Sequence, residues 1–540
     1  MIPNLITPGK NLGYKDIFLD FLAGKNPPKH FYLADNLERV AEILDRVTFD
    51  REKIAAILRK QNELYGASPK TMENIERLKN PRAVCVLAGQ QAGLLGGPLF
   101  SIVKMLGILK SARLYEQKLK RPVIPVFWIA GDDHDFDEVN HMFLLNRASE
   151  PCEITYPTPP EKELPIAEIY FSDREELSRA LDKTRECLGE SDFTPELFDL
   201  IDRSYTPGDT FVTAFGKITA GLFRDFGLVL FSPGDPEVKR YAIPFFETIL
   251  NRQDDLHDRI QNTNDAILKA GYHIQVEKKE NATHFFYNHD GRKPVMRDGD
   301  RFTCGEKTVT RDELLNCLRE TPQLFSPDVM TRPVLQSYLF PTLAQKGGPS
   351  EIAYLAQINP IFELFGLPAP CHQARPTLTV LEKRFEKQMD EYEISFDDLT
   401  GDIEQAVNRV LERSFPEKLE NNYATLHKSV KDAFDEFKNT SLEFDASLKK
   451  FAEQIYGKID YNLKAFESKV FAAHKKKSQE TRDKIYRLRN AVCPNRGLQE
   501  RSINITYFIA RYGFGIIPFL YEKIDSEQKA HQIIKMSEFV

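Results

Sequence analysis

One stretch concentrates most of the reactive chemistry of this chain: PVIPVFWIAGDDHDFDEVNH, Pro122 to His141. An apolar run ends at Ala130 and Gly131, and five carboxylates follow within seven residues: Asp132, Asp133, Asp135, Asp137 and Glu138. His134 lies among them and His141 just after. An imidazole titrates near neutrality, so His134 is a candidate general base, or a donor to a developing anion. Asp132 or Asp133 could hold a cationic amine or a divalent metal. Asn140 and His141 follow His134 by six and seven positions, and if the chain is helical from Asp137 onward His141 can point back at the same space. One or two of the acids are expected to cap that helix and complement its dipole, but five exceed what capping needs. The histidine spacing matches no H-E-x-x-H pattern, so no metal site is expected.

Two further stretches carry groups suited to anions. GQQAGLLGGPL places the glycines Gly89 and Gly93 beside the amides Gln90 and Gln91, without the Lys-Ser/Thr of a P-loop or the G-x-G-x-x-G of a dinucleotide site. Between Thr331 and Val380, Lys346-Gly347-Gly348-Pro349-Ser350-Glu351 reads as a tight turn leading into a helix with Ser350 as N-cap, where free backbone amides suit an anion. Arg332 and Arg375 each precede a proline, which predicts extended backbone and a restricted guanidinium direction. Such planar forks suit carboxylates.

The elements that must position these groups form an α/β pattern. RAVCVLAG and PVIPVFWIAG read as strands buried on both faces, joined by a helix whose apolar face is Phe100, Val103, Leu106, Ile108, Leu109 and Ala112. This is a βαβ crossover of a doubly wound sheet, in which ligands bind beyond the carboxyl ends of the strands. The loops after Gly89 and Gly131 are therefore expected to face one crevice. FGLVLFSPGD, Phe226 to Asp235, ends another strand in the same style. The expected organisation is a core over 1–150, an insertion over 151–205, core again over 206–270, and a small β insertion over 271–325 built on the hairpin signals HDGR and RDGD. The core resumes over 326–380. Residues 381–493 then nearly lack glycine and proline, and their apolar positions step by three or four. That spacing predicts two long helices in an antiparallel coiled coil, with a helical bundle packed on the core as the alternative. Residues 494–540 return to the core.

Composition narrows the function. At 540 residues and 62.1 kDa the chain holds two or three domains. A net charge of -7 gives no support to nucleic-acid binding. Seven scattered cysteines without a C-x-x-C pair fit a reducing cytosol, and neither a signal peptide nor a membrane span is read. The expected location is the cytoplasm.

Three stretches, AGQQAGLLGGPLFSIVKMLGILK, PVIPVFWIAGDDHDFDEVNH and RPVLQSYLFPTLAQKGGPSEIAYLAQINPIFELFGLP, closely resemble the bacillithiol biosynthesis cysteine-adding enzymes, BshC. LQERSINITYFIARYG adds a fourth match, so the resemblance spans nearly the whole chain. One departure is Asp132, where the family pattern reads GEDHDF; the charge is kept. The resemblance implies a Rossmann-like core with inserted connecting subdomains and a coiled coil that mediates homodimerisation. It also implies a nucleotide site for ATP or ADP, and a reaction joining the carboxyl of L-cysteine to the amine of glucosaminyl malate. Amide formation from a free acid needs an activated acyl group, a deprotonated amine and a stabilised oxyanion. On that reading Gly89, Gln90, Gln91 and Gly93 donate to phosphate or oxyanion, and His134 takes the amine proton. Asp132 or Asp133 holds the cysteine ammonium, and Lys104, Arg332 or Arg375 meets malate. Asp135, Asn140, His141, Gly347, Gly348, Ser350 and Glu351 complete the expected site. Two other readings compete: a non-catalytic dimeric scaffold, and a metal-dependent hydrolase using Asp133, His134 and His141.

Overall fold

The computed structural model describes residues 4–25, 31, 32, 34–289 and 291–539. It divides into two units, one comprising 3–382 with 494–540 and the other 383–493.

In the larger unit, five parallel strands form the central sheet: β1 (Val84–Gln90), β2 (Val123–Ile129), β3 (Val229–Phe231), β4 (Thr342–Gly347) and β5 (Cys371–Ala374). Their order across the sheet is β3-β2-β1-β4-β5. That is the doubly wound arrangement, and the chain reverses direction between β1 and β4. β2 is buried along its whole length, as a strand with helices on both faces must be. Its Trp128 packs on Phe231 at 4.8 Å, and Phe231 packs edge-on against Phe340 at 5.0 Å. Helix α1 (Leu99–Leu119) connects β1 to β2. It is buried all round through most of its length, so its apolar residues form no single stripe. It stops at Lys120, whose φ of 52° cannot continue a right-handed helix.

The 151–205 segment adds the strand Pro151–Thr155, paired antiparallel with His141–Leu145, and the helices Arg174–Leu188 and Thr194–Ser204. The strands Ala282–Asn288, Arg292–Asp298, Arg301–Cys304, Lys307–Thr310 and Phe325–Pro327 form an antiparallel sheet. The HDGR signal includes Asp290, which lies outside the described residues. The C-terminal segment returns as the strand His531–Lys535, parallel to Leu378–Leu381 and antiparallel to Leu5–Ile6.

The sheet buries a histidine outside the crevice. His372 on β5 lies between the rings of Tyr32 and Phe362, each centred 6.2 Å away, and neither ring nitrogen has a partner among the described residues. Burial pushes its pKa down to about 3. The unfolded chain takes up this proton near pH 6.5, so stability is full above that value and is lost as pH falls toward about 3. The expected loss at pH 5 is about 2 kcal/mol. Urea unfolding of wild type and His372→Leu at pH 8 and pH 5 checks this: the variant loses less stability between the two, and parallel losses would refute it.

In the smaller unit, α3 (Glu417–Phe444) and α4 (Lys449–Lys477) form an antiparallel pair turned at Ala446–Leu448. Phe434 and Tyr456 meet across it at 5.3 Å, and His427 pairs with Asp460 at 2.8 Å. No residue of α3 is fully buried. Phe437, Phe451, Tyr461 and Phe466 remain 61–73% exposed.

Candidate active site

The carboxyl ends of β1, β2 and β4 surround a cavity of about 440 Å³. It lies where the doubly wound topology places ligands, beside the reversal between β1 and β4. Gly131 ends β2 under tight constraint: a Cβ there would stand 2.7 Å from Val212 Cγ2 and 3.0 Å from Ala167 Cβ. At Gly347 a Cβ would meet that of Glu351 at 2.9 Å, so glycine lets helix α2 (Pro349–Ile358) approach the strand end.

On the acidic side, Asp132 and Asp133 line the cavity. Lys239 Nζ donates to Asp132 Oδ1 at 2.7 Å and to the Phe325 carbonyl at 2.9 Å. Asp132 Oδ2 is buried and has no partner among the described residues. Asp133 Oδ1 accepts the His134 backbone N–H at 2.9 Å and lies 3.4 Å from Arg292 Nη1. Asp135 caps the short helix Phe136–Val139. Glu138 lines the cavity, and burial together with the charges of Asp133 and Asp135 raises its pKa.

His134 is not among the lining residues; its Nδ1 faces Arg292 Nη1 at 3.3 Å. An arginine only donates, so Nδ1 is the acceptor and the ring hydrogen sits on Nε2. The helix ends at Val139, and His141 opens a strand instead of lying two turns along. Its Nδ1 pairs with Asn140 Oδ1 at 3.1 Å, and neither residue lines the cavity. Among the described residues no group of three His, Cys, Asp or Glu side chains is arranged to hold a metal ion.

On the opposite side, Gly348, Ser350, Glu351, Lys104, Arg332 and Arg375 line the cavity. Gly347 is the last residue of β4, and Gly93 and Gly347 are not in the lining. The N-cap of α2 is Gly348, two residues before the expected Ser350, because Pro349 is already suited to the first helical turn. Glu351 accepts the Gly348 N–H at 2.8 Å. Arg332 begins the helix Arg332–Leu339 instead of an extended segment, since Pro333 fits a first helical turn. Its Nη2 donates to the Tyr354 hydroxyl at 2.7 Å, and it has no carboxylate partner among the described residues. Arg375 is committed elsewhere: Nη2 lies 2.7 Å from Glu500 Oε1, and both side chains are buried.

The amides of the first loop bridge the two sides. Lys104 Nζ donates to Glu351 Oε2, to the Gly89 carbonyl at 2.7 Å and to Gln90 Oε1 at 3.0 Å. Gln90 Nε2 donates to Gln91 Oε1 at 2.5 Å, and Gln91 Nε2 to Glu138 Oε2 at 2.8 Å. Burial lowers the pKa of Lys104 despite Glu351. Burial alone would raise that of Glu351, but Lys104 and the Gly348 N–H hold it below the usual carboxylate range.

Several lining residues did not emerge from sequence. Lys278 meets Asp328 at 3.1 Å, and Arg292 stacks on Phe286 at 3.8 Å; both approach from the 271–325 segment. Asp328 is buried, which would raise its pKa, yet His284, Lys278 and the Thr331 N–H hold it well below the carboxylate range. Arg501 enters from the C-terminal return and has no partner among the described residues. HDGR and LQERS contained Arg292 and Arg501, but only as turn and helix letters.

Residues 5–376 match the family model described as Bacillithiol biosynthesis BshC, N-terminal Rossmann-like domain. Residues 378–536 match its C-terminal coiled-coil domain. The chain belongs to the BshC family. Relatives bearing the provisional name cysteine ligase BshC are found in three distant bacteria. That of Koribacter versatilis is 31% identical, over 99% of this chain and 100% of its own. That of Salinibacter ruber is 29% identical over 98% of each chain, and that of Bacillus cereus strain AH187 is 29% identical over 92% and 93%. The Rossmann-like match lies within the larger unit, and the coiled-coil match spans the smaller unit together with the C-terminal return that belongs to the larger one. Among the described residues no helix is long and apolar enough to cross a membrane.

Proposed function

We propose that this chain is a cytoplasmic ligase that joins the carboxyl of L-cysteine to the amine of glucosaminyl malate. The observation that carries the reading is Asp132, which lines the cavity: one carboxylate oxygen is fixed by Lys239, and the other is buried without a partner among the described residues. A buried orphan acceptor is costly unless a ligand completes it, and an ammonium does so. Arg332 and Arg501 lie opposite, neither paired with a carboxylate among the described residues, and they suit a carboxylate or phosphate. A cavity acidic on one side and basic on the other complements an amino acid and an acidic acceptor. The name borne by the relatives supports cysteine as that amino acid.

Asp132 holds and orients the cysteine ammonium, so that its carboxyl lies toward α2 and the amides of Gln90 and Gln91. The cavity fits a nucleotide's phosphates through Arg332, Arg501 and the Ser350 end of α2; when bound, ATP supplies the activation that a free carboxylate lacks. The chain's residues place the acceptor amine against the acyl carbon and exclude water. Purified chain added to an extract of a strain lacking the gene tests this. Isotope-labelled cysteine is expected to enter a product with the mass of acceptor plus cysteine minus water, and its absence would sink the reading.

The exposed apolar residues of α3 and α4 support a homodimer through the coiled coil. Leu419, Leu426, Phe466 and Phe471 line a groove of about 500 Å³ along it. Sedimentation equilibrium is expected to give twice the chain mass. Phe451→Glu with Phe466→Glu is expected to weaken association by about 30-fold or more, in the range of interface anchors. A monomeric wild type would contradict the proposal.

A further inference from the structure

The loop amides and the acids account for more than substrate binding. Of the carboxylates lining the cavity, Asp132 is paired with Lys239, Glu351 with Lys104, Asp328 with Lys278, and Asp133 faces Arg292. Glu138 alone among them has no cation within ion-pairing distance among the described residues. Its contact is a neutral amide, Gln91 Nε2 at 2.8 Å on Oε2. A carboxylate locked to a cation resists protonation, whereas one held by a neutral donor accepts a proton at much lower cost.

The polarity of this contact is fixed. Lys104 has only donors, so Gln90 must turn its carbonyl oxygen toward it. Gln90 then presents its amide nitrogen to the Gln91 oxygen, and Gln91 its nitrogen to Glu138. The chain of donors runs from the buried end of Lys104 to the Glu138 carboxylate, engaging Oε2 and leaving Oε1 without a hydrogen-bond partner among the described residues. Flipping Gln90 would set Lys104 against a donor, and flipping Gln91 would set its nitrogen against that of Gln90 and its oxygen against the Glu138 carboxylate.

We infer that Glu138 is the catalytic residue that takes the proton from the acceptor ammonium, with Gln91 and Gln90 as positioning residues that hold Oε1 toward the reacting amine. The inference rests on the ligase reading above. One N–H bond of the acceptor R–NH3+ breaks and the proton joins Oε1; the freed lone pair on nitrogen attacks the activated acyl carbon, the bond from that carbon to the activating phosphate oxygen breaks as the phosphate group leaves with the electron pair, and the second ammonium proton passes to water. Glu138 reaches solvent even though its carboxyl is partly desolvated, and it returns the proton to water once the amide has formed. His134 is poorly placed for the task, since its Nδ1 lone pair is directed at Arg292. The charged groups facing Glu138 are Asp133 and Asp135 from its own loop, Arg332 from the helix Arg332–Leu339 and Lys104 from α1. The first two favour proton uptake, and the last two oppose it.

The extract assay, run between pH 6 and 9 with purified wild type, Glu138→Gln, Glu138→Asp and Gln91→Leu, tests this. Glu138→Gln keeps the Gln91 hydrogen bond but cannot take a proton. Its product rate is expected to fall about 100-fold or more, as removal of a general base does, with the midpoint for cysteine within twofold of wild type. Glu138→Asp is expected to restore at least a tenth of the wild-type rate. In Gln91→Leu the carboxylate loses its donor, so the acid limb of the rate profile moves to higher pH. Wild-type rates in Glu138→Gln would overturn the inference and leave the ligase reading standing. No labelled product from wild type would remove both. Should Glu138→Gln unfold, the Gln91→Leu profile decides alone, and an unmoved acid limb counts against the inference.

Discussion

Asp132→Asn is expected to lower product formation by about 10- to 150-fold. Charge-assisted hydrogen bonds contribute about 1.5–3 kcal/mol net, and the asparagine amide offers an ammonium no charge. The same change strands Lys239, which is only 5% exposed, and breaking a buried ion pair costs about 3–5 kcal/mol. Lost activity alone would therefore confuse binding with folding. The double variant Asp132→Asn, Lys239→Met separates them. Removing both charges relieves the stranded ammonium, so stability is expected to recover substantially while product remains low. A double variant that regained both stability and wild-type product would show that Asp132 serves Lys239 and not a ligand.

The second large effect is on stability. Arg375 and Glu500 join the end of β5 to the C-terminal return, with side chains 4% and 0% exposed. Glu500 also accepts the Leu378 N–H at 2.8 Å, where Leu378–Leu381 meets the returning strand His531–Lys535. Arg375→Met leaves the Glu500 charge buried and uncompensated, and the expected loss is about 3–5 kcal/mol. Trp128 is the sole tryptophan and lies in β2, so its fluorescence during urea unfolding reports this unit alone. An Arg375→Met protein that unfolds at the wild-type urea concentration would contradict the account.

That pair also marks where sequence stops being legible. The type and spacing of Arg375 advertised an anion-binding fork, but its partner stands 125 positions later in LQERS, and nothing local announces a pairing across that separation. The strand ends near Gly89 and Gly131 were readable because parallel strands are uninterrupted apolar runs, and the glycines mark where a neighbouring strand or a packed helix leaves no room for a Cβ. The coiled coil was readable because its period persists over two long helices. The helix expected to carry His141 toward His134 failed for a local reason: Asp135 caps a single turn, and the chain at His141 pairs with Thr155 as a strand. Arg292 was hidden for another reason. It opens a strand with a single fully buried residue, where a cation usually faces water, and only the placement of that sheet against the crevice turns it inward. The Gln90–Gln91 pair was visible, but the direction of its hydrogen bonds depends on Lys104, fourteen residues later on the next helix.

The most direct test of the central claim is a profile of low-molecular-weight thiols, by mass spectrometry, in cells with the gene intact, deleted, and complemented with wild type or Asp132→Asn. The account predicts that deletion abolishes bacillithiol and accumulates glucosaminyl malate, that wild type restores the thiol, and that Asp132→Asn restores about a tenth or less, given the loss of a charge-assisted contact. Unchanged bacillithiol in the deletion strain would contradict the ligase reading itself.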